Sequence, residues 1–319
     1  MSNTTLDKKM NKHSKIGKKP QMIFYASMVI LPIIQFVIFY LGVNFNSIFL
    51  AFKTDNGVGG YEWVGFYNFE RAFAELTTEG GILLNSVKYS IIIFFLGFLT
   101  IPINLFACYY VYKQKFGSEF FKVFLYLPGV LSSVIIALLY KEFMDTLIPE
   151  LLLKYFNIEV IDNFIFAKSE TRMFISLFMF NFAFNLGGGI LVYVSAMNRI
   201  PESILEAGKI EGITPLREFI SITIPLIIPT FGAYLILQVS QLFTNQMYLY
   251  DFFGDTSKIK TVGYYIFTEV AKDNGSYPYA AAMGLMFTLV AAPLTILTKW
   301  LIGKYDAPTY WGKINYEKK

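Results

Sequence analysis

Six apolar stretches dominate this 319-residue chain: residues 22–42 ("MIFYASMVILPIIQFVIFYLG"), 86–112, 120–140, 173–197, 226–250 and 279–302. Each is near the roughly 20 residues that a helix needs to cross the hydrocarbon of a bilayer. In lipid, every backbone N–H and C=O must be satisfied within the protein, which leaves helices or closed barrels. Runs of this length predict helices, so the expected fold is all-α: a polytopic membrane protein with six transmembrane helices. Composition agrees. Only 16% of the residues are charged, against about 25% in soluble domains. The first run is longer than a signal-peptide core and no small-residue cleavage site follows it, so it reads as an uncleaved span. Pro128 and Pro293 fall inside runs, which a bundle tolerates when neighbours satisfy the freed carbonyls.

Lysine and arginine orient the stack. A basic arm over residues 1–20, Lys113 and Lys115, the 198–225 segment and the tail over residues 303–319 lie on one side. Loops 43–85, 141–172 and 251–278 carry Asp55, Glu62, Glu70, Glu75, Glu79, Glu150, Asp162, Asp251 and Asp255 on the other. The first side is therefore expected to be cytoplasmic, with both termini inside. The arm serves as a topogenic flank rather than a nucleic-acid site. Three parts follow: the arm at 1–20, a six-span domain at 21–302 with its core at about 85–302, and the tail at 303–319.

Catalytic sets are missing from the sequence. No phosphate-binding loop with its Gly-Lys-Ser/Thr occurs, nor a His-Glu-x-x-His pair. The one histidine, His13, lies in the arm, and the one cysteine, Cys108, lies inside an apolar run. Neither a metal site nor a disulfide is predicted, and the thiol reads as inert packing. Ser132 and Ser133 have no candidate base in their run. "LGGG" at 186–189 follows no strand, and close helix packing by small residues explains it better than phosphate binding. The chain reads as a non-enzyme that binds no cofactor.

Between the fourth and fifth runs stands "EAGKIEGITPLREFISITIPL" (206–226). Pro201 suits a first helical position, and Glu202 and Glu206 favour a helix N-terminus. Gly212 suits the left-handed residue that ends a helix. Thr214 then caps a second helix, with Pro215 in its first turn. The segment predicts an elbow of helix, glycine and helix; the plainer alternative is an ordinary amphipathic connector. Glu206-Ala207, Gly212, Phe219, Ile222 and Pro225 resemble the "EAA…G…F..I.LP" loop of permeases of binding-protein-dependent ABC importers of the carbohydrate-uptake type. "WVGFYNF" (63–69), "NSVKYS" (85–90), "FLYLPGVLSS" (124–133) and "YAAAMG" (279–284) are similar to that family's further motifs, in order. The likeness spans roughly residues 22–302. Gly208 stands where a second alanine is usual, Glu211 where an aspartate is, and Ile213 where a small residue is. The family's Gly-Gly-Pro before the last span is missing near Phe253-Gly254-Asp255.

The resemblance implies a type I ABC importer permease fold in a bacterial inner membrane. Glu206, Ala207, Gly208, Glu211, Gly212, Phe219 and Pro225 would couple to an ATP-binding subunit, with Glu206 meeting a basic residue in its groove. ATP and magnesium would be held by that partner dimer. A second permease chain and an extracytoplasmic sugar-binding protein complete the implied assembly.

Amides supply a further clue. Tyr234, Gln238, Gln241, Asn245 and Tyr248 recur at the spacing of one helix face. Asn181 and Asn185 sit one turn apart in the fourth run, with Phe178 and Gly188 on the same side. Amides in a bilayer face protein or a wet cavity rather than lipid, and amides with aromatic rings suit neutral polyhydroxylated rings. The plainer alternative is hydrogen bonding between helices. A secondary transporter would need a charged group near a span centre, and none is there. An integral-membrane enzyme or assembly protein would lack its nucleophile and metal sets.

Overall fold

The computed structural model describes residues 18–160, 163–165, 167–272 and 276–305. Most of the basic arm with His13, Asp162, and the tail beyond Tyr305 lie outside the described residues.

Six spans cross in order. Four are single helices: Met22–Leu50, Ile82–Tyr112, Pro215–Ser240 and Tyr277–Lys304. Two are bent pairs: Ser118–Gly129 with Ser133–Phe156, at 105°, and Glu170–Asn185 with Ile190–Met197, at 43°. The chain is thus a multi-pass, all-helical membrane protein, apart from one small hairpin outside the spans.

The first span passes through Gly42, where the apolar run stops, and continues to Leu50. Asn44 and Ser47 bend back to the carbonyls of Tyr40 and Val43, so polar side chains here spend their donors on the helix itself. The buried amide of Asn68 then holds the chain's exit, donating to the carbonyls of Ala51 at 2.9 Å and Lys53 at 2.7 Å. Between them lies an antiparallel hairpin of β1 (Lys53–Asp55) and β2 (Tyr61–Trp63), with Thr54 opposite Glu62.

The third run is not one straight helix. Pro128 lacks an N–H and its ring crowds the preceding turn. Neighbours do not simply absorb the loss: the chain tightens into a 3-10 turn at Leu127–Gly129 and swings away. The fourth breaks at "LGGG" for two reasons. Gly189 takes φ +78°, and a Cβ on Gly187 would lie 1.7 Å from the Leu125 carbonyl oxygen. Close packing therefore holds for Gly187, and the same run is also a hinge between helices.

The fifth span departs most from the sequence expectation. It begins at Pro215 and ends at Ser240 rather than running over 226–250. The elbow's second helix is its first turn, joined through a π turn at Phe219–Thr223. Pro225 lies two residues beyond the end of that π turn, and local π adjustments are one way a membrane helix accommodates a missing N–H. Residues 241–272 then fold back as turns and the short helices Leu249–Phe253 and Val262–Ala271.

Packing clusters at the two ends and along one flank. Met173, Leu177 and Phe180 meet Met247, Leu249 and Phe252 at the end away from the elbow. Leu105, Cys108 and Tyr109 meet Ile190, Met197 and Phe219 beside the elbow. Cys108 is fully buried there as a packing residue. Tyr279 and Met283 of the last span pack with Ala72, Leu83 and Phe243.

Candidate functional site: an amide-lined cavity and a surface elbow

A cavity of about 380 Å³ lies between the second, fourth and fifth spans. Its polar lining includes Thr100 and Asn104 of the second span, Asn181 and Asn185 of the fourth, and Gln238 and Gln241 of the fifth. Tyr234 and Asn245 join them, and no lining residue is charged. The expected single stripe is not the reason they meet. The helix stops at Ser240, so only Tyr234 and Gln238 share its face. Gln241 caps the helix end, and turns carry Asn245 round to the same cavity. Its Oδ1 accepts from the Met247 N–H at 2.8 Å.

Tyr248 is elsewhere. Met247 and Tyr248 both take left-handed backbone, φ 54° and 58°, which aims the Tyr248 ring at Phe180, 5.3 Å away edge-on. Tyr248 lines a neighbouring cavity of about 430 Å³ between the two bent spans, which shares Asn185, Gly188, Gly189 and Tyr234 with the first. Burial, reinforced by the charge of Asp251, pushes its phenol above the ordinary range.

The amides divide by use. Asn104 donates to the Gly188 carbonyl at 3.0 Å, and Asn181 to the carbonyls of Leu177 at 3.0 Å and Met247 at 3.4 Å. Asn185 donates to Asn181 at 2.8 Å. Asn104 and Asn181 thus tie the fourth span to the second and to the turn after the fifth, the plainer alternative, whereas Asn185 bonds back within its own helix. Gln238 and Gln241 have no side-chain hydrogen bond among the described residues, and both line the cavity. Gln238 lies over Gly97, where a Cβ would come within 2.4 Å of its amide nitrogen. Tyr234 lies likewise on Gly189 and against Tyr193, ring centroids 4.9 Å apart. The second span's share of the lining, Gly97, Thr100 and Asn104, was not anticipated. Asn104, a lone amide in an apolar run, was the signal available for it.

The elbow forms as its residues dictate. The helix Glu202–Ile210 starts after Pro201 and ends at Glu211. Gly212 follows at φ +70°. The Ile213 N–H donates to the Gly208 carbonyl and the Gly212 N–H to that of Lys209, at 3.0 and 3.1 Å, the paired bonds of a Schellman ending. Thr214 accepts from the Arg217 N–H at 3.4 Å, a long cap. Pro201, Ile204, Leu205 and Gly208 turn inward, while Ser203, Glu206, Ala207 and Ile210 form the exposed face. Ile210 is 87% exposed. Glu206 has no partner among the described residues, and Glu211 is exposed too. Phe219 is buried against Tyr109, at 4.8 Å, whereas Pro225 is exposed. At the elbow's root Glu218 pairs with Lys113 and the Tyr109 hydroxyl donates to the Pro215 carbonyl at 3.1 Å. The motif pointed to neither contact.

No family model matches the chain. The Multiple sugar-binding transport system permease protein MsmF of Streptococcus mutans is 19% identical over 284 residues, covering 88% of this chain and 95% of that one. Two solved structures share the fold. One is a bacterial ABC transporter involved in import of the acidic polysaccharide alginate; it matches with a TM-score of 0.71 and 19% identity, over 91% of this chain and 99% of that one. The other is a bacterial alginate ABC transporter in complex with an alginate pentasaccharide-bound periplasmic protein, with a TM-score of 0.69 and 20% identity, over 89% and 96%. The spans, the fold and these relatives all support the reading of the chain as a permease of the carbohydrate-uptake ABC importers.

Proposed function

We propose that this permease forms half of the path for a neutral sugar or oligosaccharide and is driven by a separate ATP-binding subunit. The observation that carries the cargo class is the cavity between the second, fourth and fifth spans, lined by amides, hydroxyls and rings without a charged side chain. Amides both donate and accept, so they suit hydroxyls of either sense. A site built for uronate carboxylates would be expected to place a cation there. On this reading the cargo is neutral, unlike the acidic alginate imported by a transporter that shares the fold.

The elbow supplies the drive. Its exposed face of Glu206, Ala207 and Ile210 seats in a groove of the ATP-binding subunit, which holds ATP and magnesium, and Gly212 sets the angle of the chain beyond. Glu211, Phe219 and Pro225 belong to the same segment: Phe219 anchors it to the second span, and Pro225 lies in the fifth span beyond the π turn. Two grooves on an ATPase dimer call for a second permease. A sugar-binding protein delivers cargo at the opposite end. Both termini of this chain are then cytoplasmic.

The test is uptake by the whole complex carrying Gln238→Leu or Gln241→Leu. One lost hydrogen bond to a neutral ligand is worth about 0.5–1.5 kcal/mol, about two- to tenfold in affinity. Uptake should fall by that order and sugar preference should shift, with the ATPase still bound. An unchanged profile in both variants would remove the cavity from the path.

A further inference from the structure

A buried ion pair sits at the root of the elbow, away from both the cavity and the exposed docking face. Glu218, with a side chain 10% exposed, meets Lys113, 21% exposed, at the end of the second span. Aromatic rings enclose the pair. The Lys113 ammonium lies 5.5 Å from the ring centres of both Tyr109 and Tyr112, and Tyr109 packs on Phe219 while its hydroxyl holds Pro215. From this point two helices run to the cavity. Ile82–Tyr112 carries Gly97, Thr100 and Asn104, and Pro215–Ser240 carries Tyr234 and Gln238.

Stability alone is a poor reason for charges here. Removing a carboxylate and an ammonium from water costs about what their attraction returns, and apolar residues in their place are often as stable. Tyr109 and Phe219 already provide an apolar contact at the same spot. What a buried pair adds is register: breaking it leaves an uncompensated charge, so the two helices resist sliding past one another.

We propose that Lys113 and Glu218 are positioning residues for energy coupling. They clamp the second span to the root of the fifth, so that a displacement of the elbow moves two walls of the cavity as one body. The proposal rests on the reading of the elbow as the ATPase docking site.

Whole complexes in proteoliposomes with their binding protein test it. The variants are Glu218→Gln, Lys113→Met, the conservative Lys113→Arg, the exchanged pair Lys113→Glu with Glu218→Lys, and the apolar pair Lys113→Met with Glu218→Met. Per assembled complex, ATP hydrolysis is read with and without loaded binding protein, together with sugar taken up per ATP. The single variants should bind the ATPase normally. Stimulation by loaded binding protein should fall about fivefold or more, the lower end of coupling between linked sites. Lys113→Arg and the exchanged pair should recover most of it. A merely structural pair would lower the yield or Tm while leaving sugar per ATP unchanged in the complexes that assemble, and that result overturns the proposal. If the single variants do not assemble, the apolar pair decides, because it buries no lone charge: normal coupling refutes the clamp and uncoupling supports it. Failure of the docking reading itself shows separately, as Glu206→Ala complexes with full ATPase binding and full coupling.

Discussion

Gly187 and Gly208 are both small for contact, yet the contacts differ in what they tolerate. A Cβ on Gly187 would stand 1.7 Å from the carbonyl oxygen of Leu125, and backbone cannot swing aside as a side-chain tip does. Gly187→Ala must push the two bent spans apart, at about 1–3 kcal/mol for overpacking. Thermal unfolding of the purified protein in detergent should show a clear drop in Tm. Gly129→Ala, at a glycine with open space around it, should leave Tm near that of the parent and serves as control. At Gly208 the nearest atoms to a Cβ are the Cδ1 tips of Ile222 and Ile213, at 3.2 and 3.5 Å. Those tips move. Gly208→Ala, the residue the resembling family uses, should therefore keep full uptake; a loss would mean that the elbow's inner face is tighter than its contacts imply.

At the scale of elements, the elbow was legible because its signals are local. The glycine stop and the Thr-Pro restart act within a few residues and appear where the chemistry puts them, while Pro201 stands at the N-cap, one residue before the first helical position expected of it. The fifth span was not legible to the same degree. Apolar content continues through Leu242, Phe243 and Met247, so hydropathy cannot see that the helix ends at Ser240 and that those residues pack into the end cluster and the flank. The amide periodicity was real only for Tyr234 and Gln238; Gln241 and Asn245 reach the cavity by a turn whose geometry depends on tertiary packing. The Glu218–Lys113 pair joins residues far apart in sequence, and nothing local announces it. Within the elbow, two variants separate contact from angle. Glu206→Ala removes a charge-assisted contact worth about 1.5–3 kcal/mol, and should weaken ATPase binding while the helix stays formed. Gly212→Val places a β-branched residue at φ +70°, a left-handed conformation that costs at least about 1–2 kcal/mol. It should reduce stimulated hydrolysis more than Glu206→Ala does, because the angle of the whole fifth span changes. Measuring ATPase binding and stimulated hydrolysis side by side distinguishes the two; equal, full activity in both would make the elbow a plain connector.

For the whole molecule, successive spans make a strong geometric demand, because each crossing takes the chain to the opposite end. Segments that follow odd-numbered spans must share one end, and those that follow even-numbered spans the other. The contacts satisfy it. Glu75, after the first span, accepts from the Tyr265 hydroxyl at 3.2 Å, after the fifth, and the Arg71 guanidinium lies 3.9 Å from the ring centre of Tyr279 at the start of the sixth. Lys113, after the second span, meets Glu218 beyond the fourth. The lysine bias predicts which end is which. Cysteines placed at Lys115 and Lys209, both exposed, should react with a membrane-impermeant maleimide only in inside-out vesicles. Cysteines at Glu79 and Asp255, exposed at the other end, should react in intact cells. Glu75 is the poorer reporter on that side, since it is half-buried and engaged with Arg71 as well as Tyr265. The native Cys108 is buried, so it contributes little background. Reaction at Lys209 from outside intact cells would place the elbow beyond the reach of any cytoplasmic ATPase. The docking face, the Lys113–Glu218 clamp and the direction of transport would then all fail together, whereas the fold and the cavity would stand.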